Sequence, residues 1–289
     1  MHLKFWNRIA AILLCPVLLA GCGASAQEAP GTADSVPVHT DSSGAPVLRV
    51  GFAQDSAPYC YSIGNSQEMN GFDVELAEAL CEDLGWTLEA VRVSPETQEA
   101  ELLSGHIDCL IGWSDDGSGD APYALTAPYM DQSVVAVVQE DSSLYELKDL
   151  IGMTSVTADR SPALDALIYD PGDGSNDRNI QLAAAFYDLY VEPDYSSCFQ
   201  QLEEDDIESV IAERSFALYA QKQSEVPFRI LEEPIKTDYR TIAFADGESA
   251  VCRAVSESLA HLLSDGTAEM LSRHFISWRL EEILLLPEE

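Results

Sequence analysis

Strand and helix patterns alternate in two successive runs, which points to an α/β protein built as two units. The first observation is periodicity. Apolar residues alternate or run continuously over 47–52, 87–93 and 107–111, and between these segments they recur at helical spacing over 73–84 and 96–103. The second is that the same alternation starts again near residue 153 and continues to a pair of amphipathic helices near the C-terminus. The third is size. A chain of 289 residues with 46% hydrophobic content can fill two modest cores or one bilobed body after a leader and a tail are set aside.

Taken in order, the chain opens with a short basic stretch (Lys4, Arg8) and an apolar run over 9–19 that is too short to span a bilayer comfortably. The run ends in Leu19-Ala20-Gly21-Cys22, which resembles a bacterial lipobox. The expectation is a signal over 1–21, cleaved before Cys22, and acyl chains on the Cys22 thiol; the alternative is an ordinary secretory signal beside an incidental cysteine. Residues 22–46, rich in Ala, Ser, Gly, Pro, Thr and Asp, then read as a flexible linker.

Order begins with a strand over 47–52. Gly71-Phe72-Asp73 offers Asp73 as an N-cap carboxylate for a helix over 73–84, where Val74, Ala77, Leu80 and Leu84 share a face and Gly85 is the stop. A strand over 87–93, a helix over 96–103 closed by Ser104-Gly105, and a strand over 107–111 complete a βαβαβ order, which implies parallel strands and right-handed crossovers. A strand over 133–138 leads out of this unit. The second run has a strand over 153–157, a helix over 162–169 opened by Ser161 and Pro162, and a polar loop over 170–179. Residues 181–190 fit either a helix or a strand. Then come a helix starting at 199–202, a strand over 208–212 and a helix over 214–221. Strands over 229–231 and 241–244 precede helices over 249–264 and 267–274.

Charge narrows the function. Fifteen Lys+Arg against fifty Asp+Glu give −35, which argues against nucleic acid, since phosphate binding needs clustered cations. Anionic headgroups would repel such a body, leaving the acyl chains to hold it at a membrane. The acidity either steers cationic ligands or simply maintains solubility. Of seven cysteines, Cys15 lies in the leader and Cys22 at the lipid site. Cys60, Cys81, Cys109, Cys198 and Cys252 are an odd number and contain no CxxC, so neither a complete disulfide framework nor a zinc or redox site is expected. Cys81 and Cys109 read as buried thiols.

An ordered series of segments resembles a known family. It runs Leu48-Arg49-Val50-Gly51; Asp55 with Ala57-Pro58-Tyr59; residues 70–80 (NGFDVELAEAL); Leu103-Ser104-Gly105-His106-Ile107-Asp108; Ala127-Pro128-Tyr129; residues 208–213 (ESVIAE); and Leu263-Ser264-Asp265-Gly266-Thr267. It is similar to the extracellular solute-binding proteins, family 3, of polar amino-acid ABC transporters. The resemblance implies a bilobed periplasmic-binding-protein-like fold, two βα sandwich lobes joined by a two-strand hinge, with 47–135 and 239–289 in lobe 1 and 136–238 in lobe 2.

Ligands in open α/β sheets bind beyond the carboxyl ends of strands, so the loops after 52, 111, 157 and 212 are the ones to inspect. After the first strand come Asp55 and Tyr59, with Ser56 where the family frequently has a ring. After 111 the family carries hydroxyls and an Arg for the ligand carboxylate. Here the loop holds Trp113, Ser114, Asp115 and Asp116, and an ungapped count places Gly119 at the Arg position. With that clamp missing, an aromatic face and acidic residues would suit an amine through cation–π and ionic contacts; alternatively Trp113 packs in the core and the aspartates are solvated. Arg160 and Ser161 at a helix start are candidates to hold an anion, unless Arg160 pairs with Asp159. Glu213 stands where the family has an Asp for the ligand ammonium, unless Arg214 neutralises it.

The resemblance implies a lipid-anchored receptor of an ABC importer, a monomer that takes a small polar, amine-bearing ligand and docks on permease subunits outside the cytoplasm, with no cofactor and no metal. An enzyme on the same fold, dehydratase-like or glycan-cleaving, and a stand-alone sensor are the alternatives. No nucleophile–base pair or metal cluster is visible among five scattered histidines, and with no transmembrane segment or cytoplasmic domain in the sequence direct signalling is not expected.

Overall fold

The computed structural model describes residues 39–53, 56–64, 66, 68–117, 123–245 and 249–287. The leader, Cys22, most of the linker, Asp55 and Gly119 lie outside them. Two sheets organise the described chain. The first is assembled from β1 (His39–Thr40), β2 (Pro46–Ala53), α1 (Phe72–Leu84), β3 (Thr87–Val93), α2 (Gln98–Leu103), β4 (Cys109–Asp115) and the short strands β5 (Ala124–Leu125) and β6 (Met130–Asp131). As the βαβαβ order implies, β2 lies between β3 and β4 and is parallel to both.

The chain then crosses into a second sheet built from β7 (Val134–Gln139), β8 (Thr154–Ala158), β9 (Asp188–Glu192), β10 (Ser209–Glu213) and β11 (Phe228–Ile230), in the order β11-β7-β10-β8-β9. Between its strands run α3 (Pro162–Ile168), α4 (Asp177–Ala184), α5 (Tyr195–Glu203) and α6 (Arg214–Gln223). The segment that fits both patterns over 181–190 divides into the end of α4 and the start of β9. The chain returns through β12 (Tyr239–Phe244), antiparallel to β4 in the first sheet, and ends in α7 (Ala250–Ser264), α8 (Thr267–Ser272) and 3-10 turns at Arg273–Phe275 and Leu280–Glu282. The two crossings are tied together: the Gln132 N–H donates to the Asp238 carbonyl at 2.8 Å and the Val134 N–H to the Lys236 carbonyl at 2.9 Å.

Each lobe has its own core. Phe52, Phe72, Leu76, Leu80, Val255 and Leu259 centre the first, and Val135, Val137, Val156, Leu202, Val210 and Ile211 the second. Burial of such side chains, about 1.5–3 kcal/mol each, is the main force holding each sheet to its helices. Cys81 and Cys109 are buried free thiols, as expected; Cys198 is one as well, and Cys60 and Cys252 are buried too.

One helix belongs to both cores. Ala217 and Ala220 of α6 pack in the second lobe, whereas Leu218 is buried in the first. Phe216 meets Trp278 edge-on at 5.1 Å between centroids, and Tyr219 stacks on the same indole at 4.4 Å. Arg279 Nη1 donates to Gln221 Oε1 at 2.9 Å, and Arg214 Nε lies 2.9 Å from Asp131 Oδ2. The C-terminal segment thus straps the first lobe to a second-lobe helix.

Asp73 does not cap α1. Gly71 holds the N-cap position without a side-chain cap, and Asp73 lies inside the first turn, buried, with one oxygen on Arg240 Nη2 and the other accepting from Tyr129 Oη at 2.8 Å. A buried carboxylate needs such partners, and the nearest cation is on β12.

Candidate ligand-binding cleft

The carboxyl ends of β2, β4, β8, β9 and β10 face a cavity of about 550 Å³ between the lobes, within the 300–1,000 Å³ range typical of small-molecule sites. The first lobe contributes Ser56, Tyr59 and Ser114, and the crossings Gln132 and Asp238. The second lobe contributes Arg160, Ser161, Tyr195, Glu213 and Phe216.

Glu213 is the last residue of β10 and the N-cap residue of α6, but its carboxylate caps nothing. It is 2% exposed, and its Oε2 has no hydrogen-bond partner among the described residues. Burial raises its pKa; the neighbouring Tyr195 hydroxyl and Ala163 N–H oppose that shift, and Asp238 adds to it. The Tyr195 hydroxyl is likewise without a closed hydrogen bond among the described residues. Arg214 does not neutralise Glu213; it pairs with Asp131.

Asp238 sits where the return crossing enters β12. Burial pushes its pKa up to about 6, against the opposing hydrogen bond from Ser114 Oγ to Oδ1 at 2.5 Å and the charges of Lys236 and Arg240. Its own N–H donates to Ser133 Oγ at 3.2 Å. This residue, Arg240 and Tyr195 escape the sequence reading.

Arg240 is the buried cation of the cleft. Its guanidinium lies over the Tyr59 ring, 3.8 Å from Cζ to the centroid, with Nη2 on Asp73. Burial disfavours the charge, and Asp73 more than offsets this, so its pKa is raised. The space for it comes from Gly112. That residue has φ +78°, and a Cβ there would lie 2.1 Å from Arg240 Nη2. The register between β4 and β12 pairs Thr241 with Trp113 but Ile242 with Ile111, so Gly112 is the extra residue of a β-bulge.

The bulge also decides the fate of Trp113. Skipping Gly112 turns its ring to the face of Leu110, Val93 and Leu102, where it meets Tyr123 edge-on at 5.0 Å. Trp113 therefore does not line the cleft. Asp116 does not either; it borders a separate surface cavity with Arg178 and Lys236. Tyr59 lines the cleft but is 1% exposed, its hydroxyl bonded to Gln132 Oε1 and its face covered by Arg240. Arg160 reaches the rim with its side chain 91% exposed, 3.6 Å from Asp159. Ser161 caps α3, accepting from the Leu164 N–H at 3.0 Å and donating to the Ala158 carbonyl at 2.7 Å. Of the expected residues described, Tyr59, Ser114, Arg160, Ser161 and Glu213 come together, and Trp113 and Asp116 stand apart.

A two-lobed α/β body with a cleft between its lobes, lined by buried carboxylates, is the architecture of a protein that captures small solutes. The chain belongs to the bacterial extracellular solute-binding proteins, family 3, whose model matches residues 48–277. It is 22% identical to the "Probable amino-acid-binding protein YxeM" of Bacillus subtilis (strain 168) over 284 residues, 96% of this chain and 97% of that one. The "L-cystine-binding protein TcyJ" of Escherichia coli (strain K12) is 24% identical over 231 residues, 78% of this chain and 80% of the other. In fold it is similar to a polar amino acid ABC uptake transporter substrate binding protein from Streptococcus thermophilus, with a TM-score of 0.65 and 19% identity over 83% of this chain and 88% of that one. These relatives are named as binding proteins, not enzymes. No helix among the described residues is long and apolar enough to cross a membrane.

Proposed function

We propose that the chain is the lipid-anchored solute receptor of an ABC importer, holding a small amine-bearing ligand, an amino acid or a related compound, between lobes 47–135 plus 239–289 and 136–238. The observation that carries this reading is Glu213: a cleft carboxylate, buried, with an oxygen that no group among the described residues satisfies. An ammonium ion supplies that partner, and a hydrogen bond to a charged group contributes about 1.5–3 kcal/mol. The named amino-acid binding of relatives supports the ligand class, and a structural relative that serves an ABC uptake transporter supports the permease as partner. Cys22 carries the anchor in this scheme, and the lobes close on the ligand as a population shift.

The reading is tested by calorimetric titration of the purified protein with amino acids and amines. A hit should weaken at least tenfold in Glu213→Gln. Unchanged affinity in that variant would remove Glu213 from the site and with it the main support for amine capture.

A further inference from the structure

The charges in the cleft do not balance, and the imbalance specifies a ligand. Arg240 is committed to Asp73 behind it and to the Tyr59 ring, so its charge is already matched. Arg160 is almost fully exposed and lies beside Asp159. Asp194 accepts the Ser197 N–H at 2.9 Å and is occupied as the cap of α5. Two carboxylates remain. Glu213, from the end of β10, and Asp238, from the return crossing, both line the cavity and are 2% and 8% exposed. Among the described residues neither enters an ion pair. Lys236 and Arg240 stand two positions to either side of Asp238; Lys236 borders the separate surface cavity, and Arg240 is held by Asp73. Two buried negative charges facing one cavity are costly unless something positive joins them.

Resting on the reading that the cleft holds an amine, we propose that Glu213 and Asp238 together select a small organic dication, one cationic nitrogen for each carboxylate, and that no ligand carboxylate is required because Asp73 occupies Arg240. A diamine and a dibasic amino acid share the two nitrogens and differ in the carboxylate, so the test separates them.

Full-length protein in detergent is titrated calorimetrically with cadaverine, lysine and glutamine. Cadaverine carries two cations and no carboxylate, lysine two cations and a carboxylate, and glutamine one cation and a carboxylate. The expected result is cadaverine at least as tight as lysine, and both about ten- to a hundredfold tighter than glutamine, the factor carried by one charged hydrogen bond. Glu213→Gln and Asp238→Asn, which keep side-chain shape, should each reduce cadaverine affinity by a similar factor. Glutamine binding as tightly as cadaverine would overturn the two-charge selection and leave amine capture standing. Lysine far tighter than cadaverine would overturn the claim that Arg240 is withheld. Binding of none of the three would count against both the selection and the reading beneath it. The comparison of the three ligands on the unaltered protein decides the matter even if a variant fails to fold.

Discussion

Replacing Asp73 by alanine should destabilise the first lobe more than its small volume suggests. The carboxylate is 1% exposed; one oxygen holds Arg240 Nη2 and the other accepts the fully buried Tyr129 hydroxyl at 2.8 Å. Breaking a buried ion pair by removing one partner costs about 3–5 kcal/mol, and stranding a buried hydroxyl costs about 1–3 kcal/mol. Because one carboxylate serves both, the costs overlap, and a net loss of about 4 kcal/mol is expected. At about 2–4 °C per kcal/mol for a chain of this size, the Tm should fall by roughly 10 °C. Urea denaturation and calorimetry of Asp73→Ala measure it. The double replacement Asp73→Leu with Arg240→Met should recover most of the loss, since an apolar pair of similar volume carries no desolvation penalty. A loss under about 1 kcal/mol, or a double variant as unstable as the single one, would refute the assignment of this pair as the electrostatic centre of the lobe.

The same pair depends on Gly112. Gly112→Ala should lower stability by at least about 1–3 kcal/mol for a non-glycine residue at φ +78°, with a further cost as the guanidinium is pushed off Asp73; a melting curve checks it. The raised pKa values of Asp238 (about 6) and Glu213 fix the sign of a pH effect. Unfolding lowers these values toward those of exposed carboxylates, so the folded state binds more protons and ligand-free stability rises as pH falls from 7 toward 5. Asp238 contributes about 1 kcal/mol of that change. Ligand affinity should fall over the same interval, because an amine needs the ionised forms. Tm against pH should lose most of its slope in Asp238→Asn. Finally, Cys22→Ser should move the protein from the membrane fraction to the soluble fraction of cells, read by fractionation and immunoblot.

What the sequence discloses and what it conceals follow from the range of the interactions. The βαβαβ order was legible because apolar spacing over 47–111 is set by local burial. Glu213 was legible through the family resemblance, which places at this position the Asp that meets a ligand ammonium. Arg240 was not, because its partner Asp73 is 167 positions away and nothing local marks the pairing. Asp238 is hidden likewise, bonded across 124 positions to Ser114. Trp113 misleads for a different reason. Ordinary alternation would leave it on the face of Cys109 and Ile111, and a single positive-φ residue at Gly112 inserts the bulge that turns it to the other. Residues 170–190 mix polar loop and short elements, so α4 and β9 have too few turns or alternations to declare themselves.

The aromatic strap across the lobes gives this molecule a gauge of its own shape. Trp86 and Trp113 pack against the first-lobe cores, whereas Trp278 also leans on Phe216 and Tyr219 of a second-lobe helix. Any rotation of one lobe against the other must slide or part those rings, and indole emission responds to both. Trp86→Phe with Trp113→Phe would leave Trp278 as the emitter within residues 39–287, turning the native fluorescence of the protein into a direct readout of the angle between its halves, with no dye attached.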